Sequence, residues 1–475
     1  MASSTMDTPG LFAPVQAFFR RFAVSFKLAG ILLLTLLLQI PLFMIKGLLD
    51  ERLLRREQAV SEITSTWGLS QTLTGPILVI PYTTSYATEN NAVINGRVVR
   101  TTEEKTRLAY AFFLPEALEI DGELNPSVRH RGIYEAAVYS GALRLRGHFG
   151  KIDVRALGLD PASFKWDQAW IALGVSDLRG TREALRLKWN DAAVDLEPST
   201  RIQGLDTGLH ARLPGLLSAE RERQEFSCEL TLNGSEQMTF VPVGKQTQVK
   251  LRSTWADPSF TGAMLPTERQ VSPSGFEAAW QVSYYGRSFP QQWTEAPDGT
   301  DPLVGKLAAA AFGVSLMTPV DNYRVVERAI KYGVLFITLL FTAFFLFEVL
   351  AALRLHPIHY LLVGAALCLF YLALLSTSEF LSFPTAYTCA ATASTLLIGS
   401  YCRSILRSGR RSLAIVGALV GIYAFLFFVL QMQDYALLAG TAGLFAVLGT
   451  VMYATRKVDW AGQAPTQTPV AVQTV

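Results

Sequence analysis

The sequence predicts an integral membrane protein with six transmembrane α-helices, one N-terminal and five C-terminal, and a large β-rich, sandwich-like domain between the first two. Half of the 475 residues are hydrophobic and only 17% are charged, whereas soluble proteins carry about 25% charged residues. The mean hydropathy is +0.27. The apolar runs lie near the two ends of the chain, and the middle alternates between apolar and polar residues, as half-buried strands do.

Six runs approach the roughly 20 apolar residues that are needed to cross a hydrocarbon core about 30 Å thick. The fourth run is the weakest, because it is rich in Thr, Ser and Ala. The predicted spans are Leu28–Ile45, Tyr332–Leu353, Tyr360–Leu375, Phe383–Cys402, Leu413–Leu430 and Ala436–Tyr453.

The first span has an alternative interpretation as a cleaved signal peptide. Its apolar core is longer than the usual 7–15 residues of such a peptide. Lys46 and Gly47 follow the core, and no small-residue cleavage site comes directly after it. We therefore predict an uncleaved anchor, with a short helix that continues from Leu49 to Trp67.

Lys and Arg in the short connections predict the orientation, because cytoplasmic loops are enriched in both. The connections Ser376–Ser382 and Gln431–Tyr435 contain neither residue type. The connections after the second, fourth and sixth spans contain Arg354, then Arg403, Arg407, Arg410 and Arg411, and finally Arg456 and Lys457. Both termini are therefore expected in the cytoplasm, and the large domain on the opposite side. The first span has basic residues on both flanks, so it does not decide the orientation.

This topology divides the chain into five parts. Residues 1–27 are a cytoplasmic segment, 28–48 the anchor, 49–329 the outer β-rich domain, 330–455 a five-helix bundle and 456–475 a disordered cytoplasmic tail. In the outer domain, runs such as Ala142–Phe149 and Gln246–Trp255 alternate, and turn pairs such as Asn95-Gly96 separate them. Antiparallel sandwiches have this spacing, but the pattern is compatible with one sandwich or two.

The search for catalytic, cofactor-binding and metal-binding motifs is negative, so we predict neither an enzyme nor a cofactor. The sequence has no phosphate-binding loop, no nucleophile elbow and no zinc-protease helix motif. Cys228 is the only cysteine in the polar middle of the chain, and the outer domain therefore has no internal disulfide. A net charge of +3 gives no reason to expect a nucleic-acid partner.

Glu348 is the strongest single candidate for a functional residue. It lies inside the second predicted span, where a carboxylate is costly and by default indicates function. Arg354 follows six residues later, and His356 and His359 lie in the next connection. These four residues are the candidate functional cluster. The alternatives are that water or Arg354 relieves the charge of Glu348, and that the histidines are polar residues of a tight turn.

Two further acidic residues lie near the membrane in the sequence. Glu379 and Asp434 fall in the connections that lack Lys and Arg. Water is expected to satisfy both carboxylates there, so they are not candidates.

Several stretches along the chain carry a resemblance to one family. They are Gly75–Pro81, Phe113–Glu116, Arg131–Tyr134, Gly174–Gly180, Ser253–Phe260, Thr318–Tyr323, Arg328–Tyr332, and Phe347–Glu348 followed by Arg354–Gly364. Through them the chain resembles the CreD family of bacterial inner membrane proteins. The resemblance implies an inner-membrane location, a periplasmic outer domain and a link to cell envelope integrity and envelope stress. It implies no catalytic residue, but the candidate cluster matches the family pattern.

Three functional hypotheses follow. The first is an envelope-integrity protein whose outer domain binds or senses an envelope component. The second is a small-molecule or lipid transporter that uses Glu348 as its coupling group, and the third is an enzyme acting on envelope lipids or peptidoglycan precursors. The expected partners are the lipid bilayer and, through the outer domain, another envelope protein or a periplasmic ligand. The sequence leaves the oligomeric state open.

Overall fold

The computed structural model describes residues 23–94, 97–179, 181, 185–215, 217, 222–296, 303–316, 322–350, 355–406, 408–432 and 435–456. The described parts of residues 1–55 and 320–475 form one compact unit, the helical unit. Those of residues 56–319 form a second, the β unit. The predicted segments 1–27 and 456–475, the turn Asn95-Gly96, Arg354 and Asp434 lie wholly or mostly outside the described residues.

The helices follow the apolar runs of the sequence, since a backbone without water must satisfy its hydrogen bonds internally. Within the described residues the α-helices are α1 (Ala23–Leu37), α2 (Gln39–Trp67), α3 (Val304–Ala309), α4 (Asn322–Lys331), α5 (Gly333–Leu350), α6 (Pro357–Ser378), α7 (Phe383–Leu406), α8 (Gly409–Gln431) and α9 (Ala436–Thr455). All but α3 and the end of α2 belong to the helical unit. As predicted, the helix after the anchor ends at Trp67.

In the part of the chain that the structure describes, four helices are long and apolar enough to cross a membrane, and a bent pair would make five. They are Phe26–Trp67, Pro357–Ser378, Gly409–Gln431 and Ala436–Thr455. The first combines α1 and α2 and is called the N-terminal helix below. The bent pair is Asn322–Lys331 with Gly333–Val349, at 47°. Among the described residues, α7 does not reach this hydropathy although it has 24 residues. It corresponds to the fourth predicted span, whose Thr, Ser and Ala residues lower its hydropathy.

The N-terminal helix packs closely against the other helices of the helical unit. A Cβ atom at Gly364 of α6 would overlap the side chain of Leu38. One at Gly333 would lie 3.2 Å from Leu42. Small residues allow helix backbones to approach in this way inside a membrane.

The β unit is built from two sheets. Its strands alternate between buried and exposed residues, so each sheet has one face that can pack into a core. Its described strands are β1 (Gln71–Ile94), β2 (Arg97–Phe113), β3 (Ala117–Arg131), β4 (Tyr134–Phe149), β5 (Trp170–Val175), β6 (Arg186–Trp189), β7 (Ala192–Asp195), β8 (Glu197–Pro198), β9 (Gly208–Arg212), β10 (Gln224–Ser235), β11 (Gln237–Phe240), β12 (Gln246–Ser253), β13 (Pro258–Gly262), β14 (Glu268–Ser272), β15 (Gly275–Ser283), β16 (Gln292–Thr294) and β17 (Phe312–Leu316). This confirms the prediction of a β-rich region, and the alternating runs quoted above lie in β4 and β12.

The strand order within the described residues is β13-β17-β11-β1-β5-β9-β8 in one sheet, with β2 beside β1 and β16 beside β2. The other sheet has the order β14-β15-β12-β3-β4-β10-β6-β7. Most neighbours are antiparallel, but β12 pairs with β3 and β1 pairs with β11 in parallel.

Both sheets contribute side chains to one hydrophobic core. Trp280 of β15 contacts Phe312 of β17 across the two sheets, with ring centroids 5.7 Å apart. The hydroxyl group of Tyr139 in β4 donates to the carbonyl oxygen of Gln237 in the opposite sheet at 2.7 Å. The β unit is therefore one two-layer structure.

Candidate functional site

Glu348 is buried near the end of α5, with 5% of its surface exposed. Its carboxylate forms an ion pair with the amino group of Lys27. The hydroxyl group of Tyr360 donates to Oε2 at 2.9 Å, and the backbone N–H of Leu355 donates to Oε1 at 2.9 Å. Both carboxylate oxygens are thus satisfied. We call Lys27, Glu348, Tyr360 and the backbone of Leu355 the Glu348 cluster.

Each member of the Glu348 cluster comes from a different part of the helical unit. Lys27 lies in α1, and its amino group also donates to the carbonyl oxygen of Leu355 at 3.3 Å. Tyr360 lies in the first turn of α6, and its ring contacts those of Phe341 and Phe344 in α5. These contacts fix the phenol against the carboxylate, so the cluster joins α1, α5 and α6.

The two predicted histidines form hydrogen bonds at the start of α6 and between α6 and α7. His356 is the N-cap of α6, where its Nδ1 accepts from the backbone N–H of Ile358 at 3.3 Å. Pro357 occupies the first helical position, for which its fixed φ is suited. His359 forms a hydrogen bond through Nδ1 with the hydroxyl group of Tyr401 in α7, at 2.9 Å. His356 therefore starts α6, and His359 links α6 to α7.

Sequence reasoning identified Glu348 but missed Lys27 and Tyr360. Lys27 directly precedes the first predicted span, where a lysine is ordinary because its amino group can reach the membrane surface. Tyr360 is the first residue of the third predicted span, where an aromatic residue is ordinary. The only available signal was the unpaired carboxylate itself, which requires a cation or a donor somewhere in the bundle.

Glu379 forms a similar cluster with Arg52, 25 residues beyond Lys27 on the N-terminal helix, so the expectation that water satisfies this carboxylate is wrong. Its side chain is only 9% exposed, and Oε1 lies 3.3 Å from Nε of Arg52. The hydroxyl group of Tyr323 in α4 donates to the same oxygen at 3.5 Å. The burial arises because α4 packs against α6 and covers the connection that contains Glu379. We call Arg52, Tyr323 and Glu379 the Glu379 cluster.

The two clusters lie a membrane thickness apart. Arg52 follows Lys27 by 25 residues (27 to 52) on the N-terminal helix. At 1.5 Å per residue this is roughly 38 Å, compared with about 30 Å for the hydrocarbon core and 40–45 Å with the headgroups. The separation of the two cations therefore matches the distance between the two surfaces of a bilayer.

In the β unit, the described part of the family stretch, Gly174–Arg179, forms a cap for the end of α2. Asp177 is buried, and its carboxylate accepts from the backbone N–H of Leu69 and from Nε of Arg179, both at 2.9 Å. Arg179 in turn donates to the carbonyl oxygen of Ser65 in the last turn of α2. Burial alone would raise the pKa of Asp177, but the hydrogen bonds from Arg179 and Leu69 outweigh it and lower the pKa below its ordinary value.

Cys228 is buried in β10, and burial raises the pKa of its thiol to about 12. All four cysteines are free. Among the described residues, no group of three or more His, Cys, Asp or Glu side chains is arranged to hold a metal ion.

The family model described as "Inner membrane protein CreD" matches residues 23–461. The chain is also 33% identical to the inner membrane protein CreD of Escherichia coli (strain K12). That similarity extends over 437 residues, which are 91% of this chain and 93% of the relative. The resemblance found in the separate stretches therefore extends through both units, and the chain belongs to the CreD family of inner membrane proteins.

Proposed function

We propose that the protein contributes to cell envelope integrity, or to the response to envelope stress, without performing catalysis. In this proposal six helices cross the inner membrane, both termini lie in the cytoplasm, and the β unit lies in the periplasm. There the β unit binds or senses an envelope component, while the helical unit holds it in the membrane.

The place of α7 between two candidate spans supports the count of six. α7 packs against α6 and α8, and only short connections join it to them. Hydrogen bonds join α7 to α8 at Tyr387 and to α6 at Tyr401, so it lies alongside both helices, and in this arrangement it crosses the membrane between them. At 1.5 Å per residue, its 24 residues extend about 36 Å, which is long enough. Neighbouring helices can shield its Thr and Ser side chains from lipid.

The ion pair between Lys27 and Glu348 is the observation that favours an envelope role over a transporter. A coupling carboxylate must exchange a proton or an ion with water during each cycle. In Glu348 both oxygens are engaged by Lys27, Leu355 and Tyr360, and the side chain is buried. This arrangement is suited to joining helices.

The outer face of the sheet that contains β3 and β4 supports the binding of a polar envelope component. Its charges alternate in sign across four neighbouring strands. Arg144 of β4 lies between Glu229 of β10 and Asp121 of β3, and is paired with both. Asp121 is paired on its other side with Lys250 of β12. These strands line an open cavity of about 600 Å³.

Complementation of a deletion strain tests this proposal. The double variant R144E/K250E reverses two charges in the cavity, and K151E/R155E makes the same charge change at exposed positions elsewhere in the β unit. Under envelope stress, we expect the first variant to fail and the second to complement, at equal amounts of protein in the membrane. Full complementation by R144E/K250E would contradict binding at this surface. The transporter hypothesis would be favoured if E348Q failed to complement and also lost uptake of a small molecule or lipid that the unaltered protein transports, while its melting temperature stayed unchanged.

A further inference from the structure

The helix α4 has two different faces. Tyr323, Val325, Val326, Ala329 and Ile330 are buried, where α4 packs against α5, α6 and α8. The other face contains Arg324, Glu327, Arg328 and Lys331, at the spacing i, i+3, i+4 and i+7 that places them in one stripe. Three of these four residues are cations, and Arg324 and Lys331 are exposed.

Hydrogen bonds place α4 at one end of the helical unit. Asn322 donates to the carbonyl oxygen of Ser378 at 3.2 Å, where α6 ends. Arg328 donates to the carbonyl oxygen of Met432 at 3.2 Å, just after α8 ends. Exposed aromatic residues, Phe380 and Tyr435, lie in the connections at this same end. Tyrosine is typical of the interface between membrane and water.

The N-terminal helix adds a fourth cation at this level. Leu42 lies beside Gly333, directly after α4. Lys46 is exposed and follows Leu42 by about one helical turn. Nearby Arg52 and Arg55 have Glu379 and Glu51 as acidic partners. We call Lys46, Arg324, Arg328 and Lys331 the basic face.

We propose that the basic face binds the headgroups of anionic phospholipids. Among the described residues of these two helix stripes, the four cations outnumber the carboxylates of Glu327, which pairs with Lys331 at 2.8 Å, and Asp50, which follows Lys46 by about one helical turn. Guanidinium groups match the geometry of phosphate oxygens. A basic helix at headgroup level meets lipid phosphates before any soluble partner, and lipid is therefore the occupant that its position favours.

The assignment to the periplasmic leaflet rests on the proposed topology, but the lipid contact itself does not. In that topology the basic face lies on the side where Lys and Arg are normally depleted. A function in lipid binding explains why these cations are present there.

Thermal unfolding of the full-length protein in nanodiscs tests this inference. Discs of phosphatidylcholine are compared with discs that also contain phosphatidylglycerol. We expect phosphatidylglycerol to raise the melting temperature of the unaltered protein, and R324Q/K331Q to lose at least half of that increase. Arg328 is left in place because it bonds to Met432. R403Q/R410Q removes the same charge at the other end of α7 and should keep the full increase.

The charge-conserving variant R324K/K331R should also keep most of the increase, which separates loss of charge from damage to α4. The proposal would be overturned if phosphatidylglycerol raised the melting temperature of R324Q/K331Q as much as that of the unaltered protein. It would also be overturned if R403Q/R410Q lost as much of the increase as R324Q/K331Q, or if the unaltered protein showed no increase. Stabilisation by soluble glycerol phosphate in phosphatidylcholine discs, lost in R324Q/K331Q, would instead assign a small phosphate ligand and overturn the lipid assignment.

Discussion

Lys27 and Glu348 are 321 positions apart in the sequence and form an ion pair that is largely shielded from water. The pair ties the N-terminal helix to the helices that follow the β unit. The residues before and after the β unit in the sequence therefore meet in one helical unit.

Breaking the pair from either side should destabilise the helical unit. Glu348→Gln leaves Lys27 without its counter-charge, and Lys27→Met leaves a buried carboxylate. Loss of one partner of a fully buried pair costs about 3–5 kcal/mol. We expect roughly 1–3 kcal/mol here, because the Lys27 side chain is 27% exposed and water screens part of the charge.

A double-mutant cycle measured by unfolding in detergent checks this prediction. The combination of Lys27→Met with Glu348→Leu should cost less than the sum of the two single variants, with a coupling of about 1 kcal/mol or more. Glu51→Gln is the control, since its exposed pair with Arg55 should contribute only about 0.3–0.5 kcal/mol. Additive effects of Lys27→Met and Glu348→Leu would show that the ion pair contributes nothing.

Tyr360→Phe removes only the hydroxyl group that donates to Glu348. The ring keeps its contacts with Phe341 and Phe344, so the loss should reflect the hydrogen bond alone. We expect a destabilisation of roughly 1–3 kcal/mol, the range for a donor to a charged, buried acceptor. Tyr453→Phe, at a largely exposed residue of α9, is the matched control. Equal melting temperatures for the unaltered protein and Tyr360→Phe would contradict the assigned hydrogen bond.

The Glu379 cluster should contribute less than the Glu348 cluster. Arg52 is 41% exposed and its contact with Glu379 is longer, at 3.3 Å. Arg52→Gln should therefore cost roughly 0.5–1 kcal/mol, as for partly screened pairs. High salt should reduce the cost of Arg52→Gln by a larger fraction than that of Glu348→Gln, because the Lys27–Glu348 pair is less exposed. Unfolding at low and high salt measures both effects, and a larger cost for Arg52→Gln than for Glu348→Gln would refute this order.

How far the sequence predicts this structure depends on whether a signal is local. Alternation within β4 and β12 predicts strands, but the parallel pairing of β12 with β3 joins distant segments and has no local signal. Glu348 is conspicuous because a carboxylate inside an apolar run is costly. Its partner Lys27 resembles an ordinary flanking lysine, and only the fold brings the two together. Glu379 was misjudged because its connection looks solvated until α4 covers it.

Asp177 should make the stability of the β unit depend on pH. Its pKa is lowered in the folded state, so the unfolded chain binds the proton more readily. The stabilisation is complete above the unfolded pKa of about 3.9 and is lost as the pH falls through the lower, folded value. Asp177→Asn should therefore cost about 1–3 kcal/mol at pH 7, and the difference from the unaltered protein should shrink near pH 3. Unfolding followed by tryptophan fluorescence at both pH values measures this, and a constant difference would exclude the assigned cause.

The central claim is that the β unit lies in the periplasm, and accessibility of single cysteines tests it most directly. In a Cys389→Ser background, where the remaining native cysteines are buried, Lys151→Cys reports on the β unit and Arg403→Cys on the end of α7. A membrane-impermeant maleimide is added to spheroplasts before and after permeabilisation. We expect Lys151→Cys to react in sealed spheroplasts and Arg403→Cys only after permeabilisation. The reverse pattern would place the β unit in the cytoplasm and contradict an envelope-facing role.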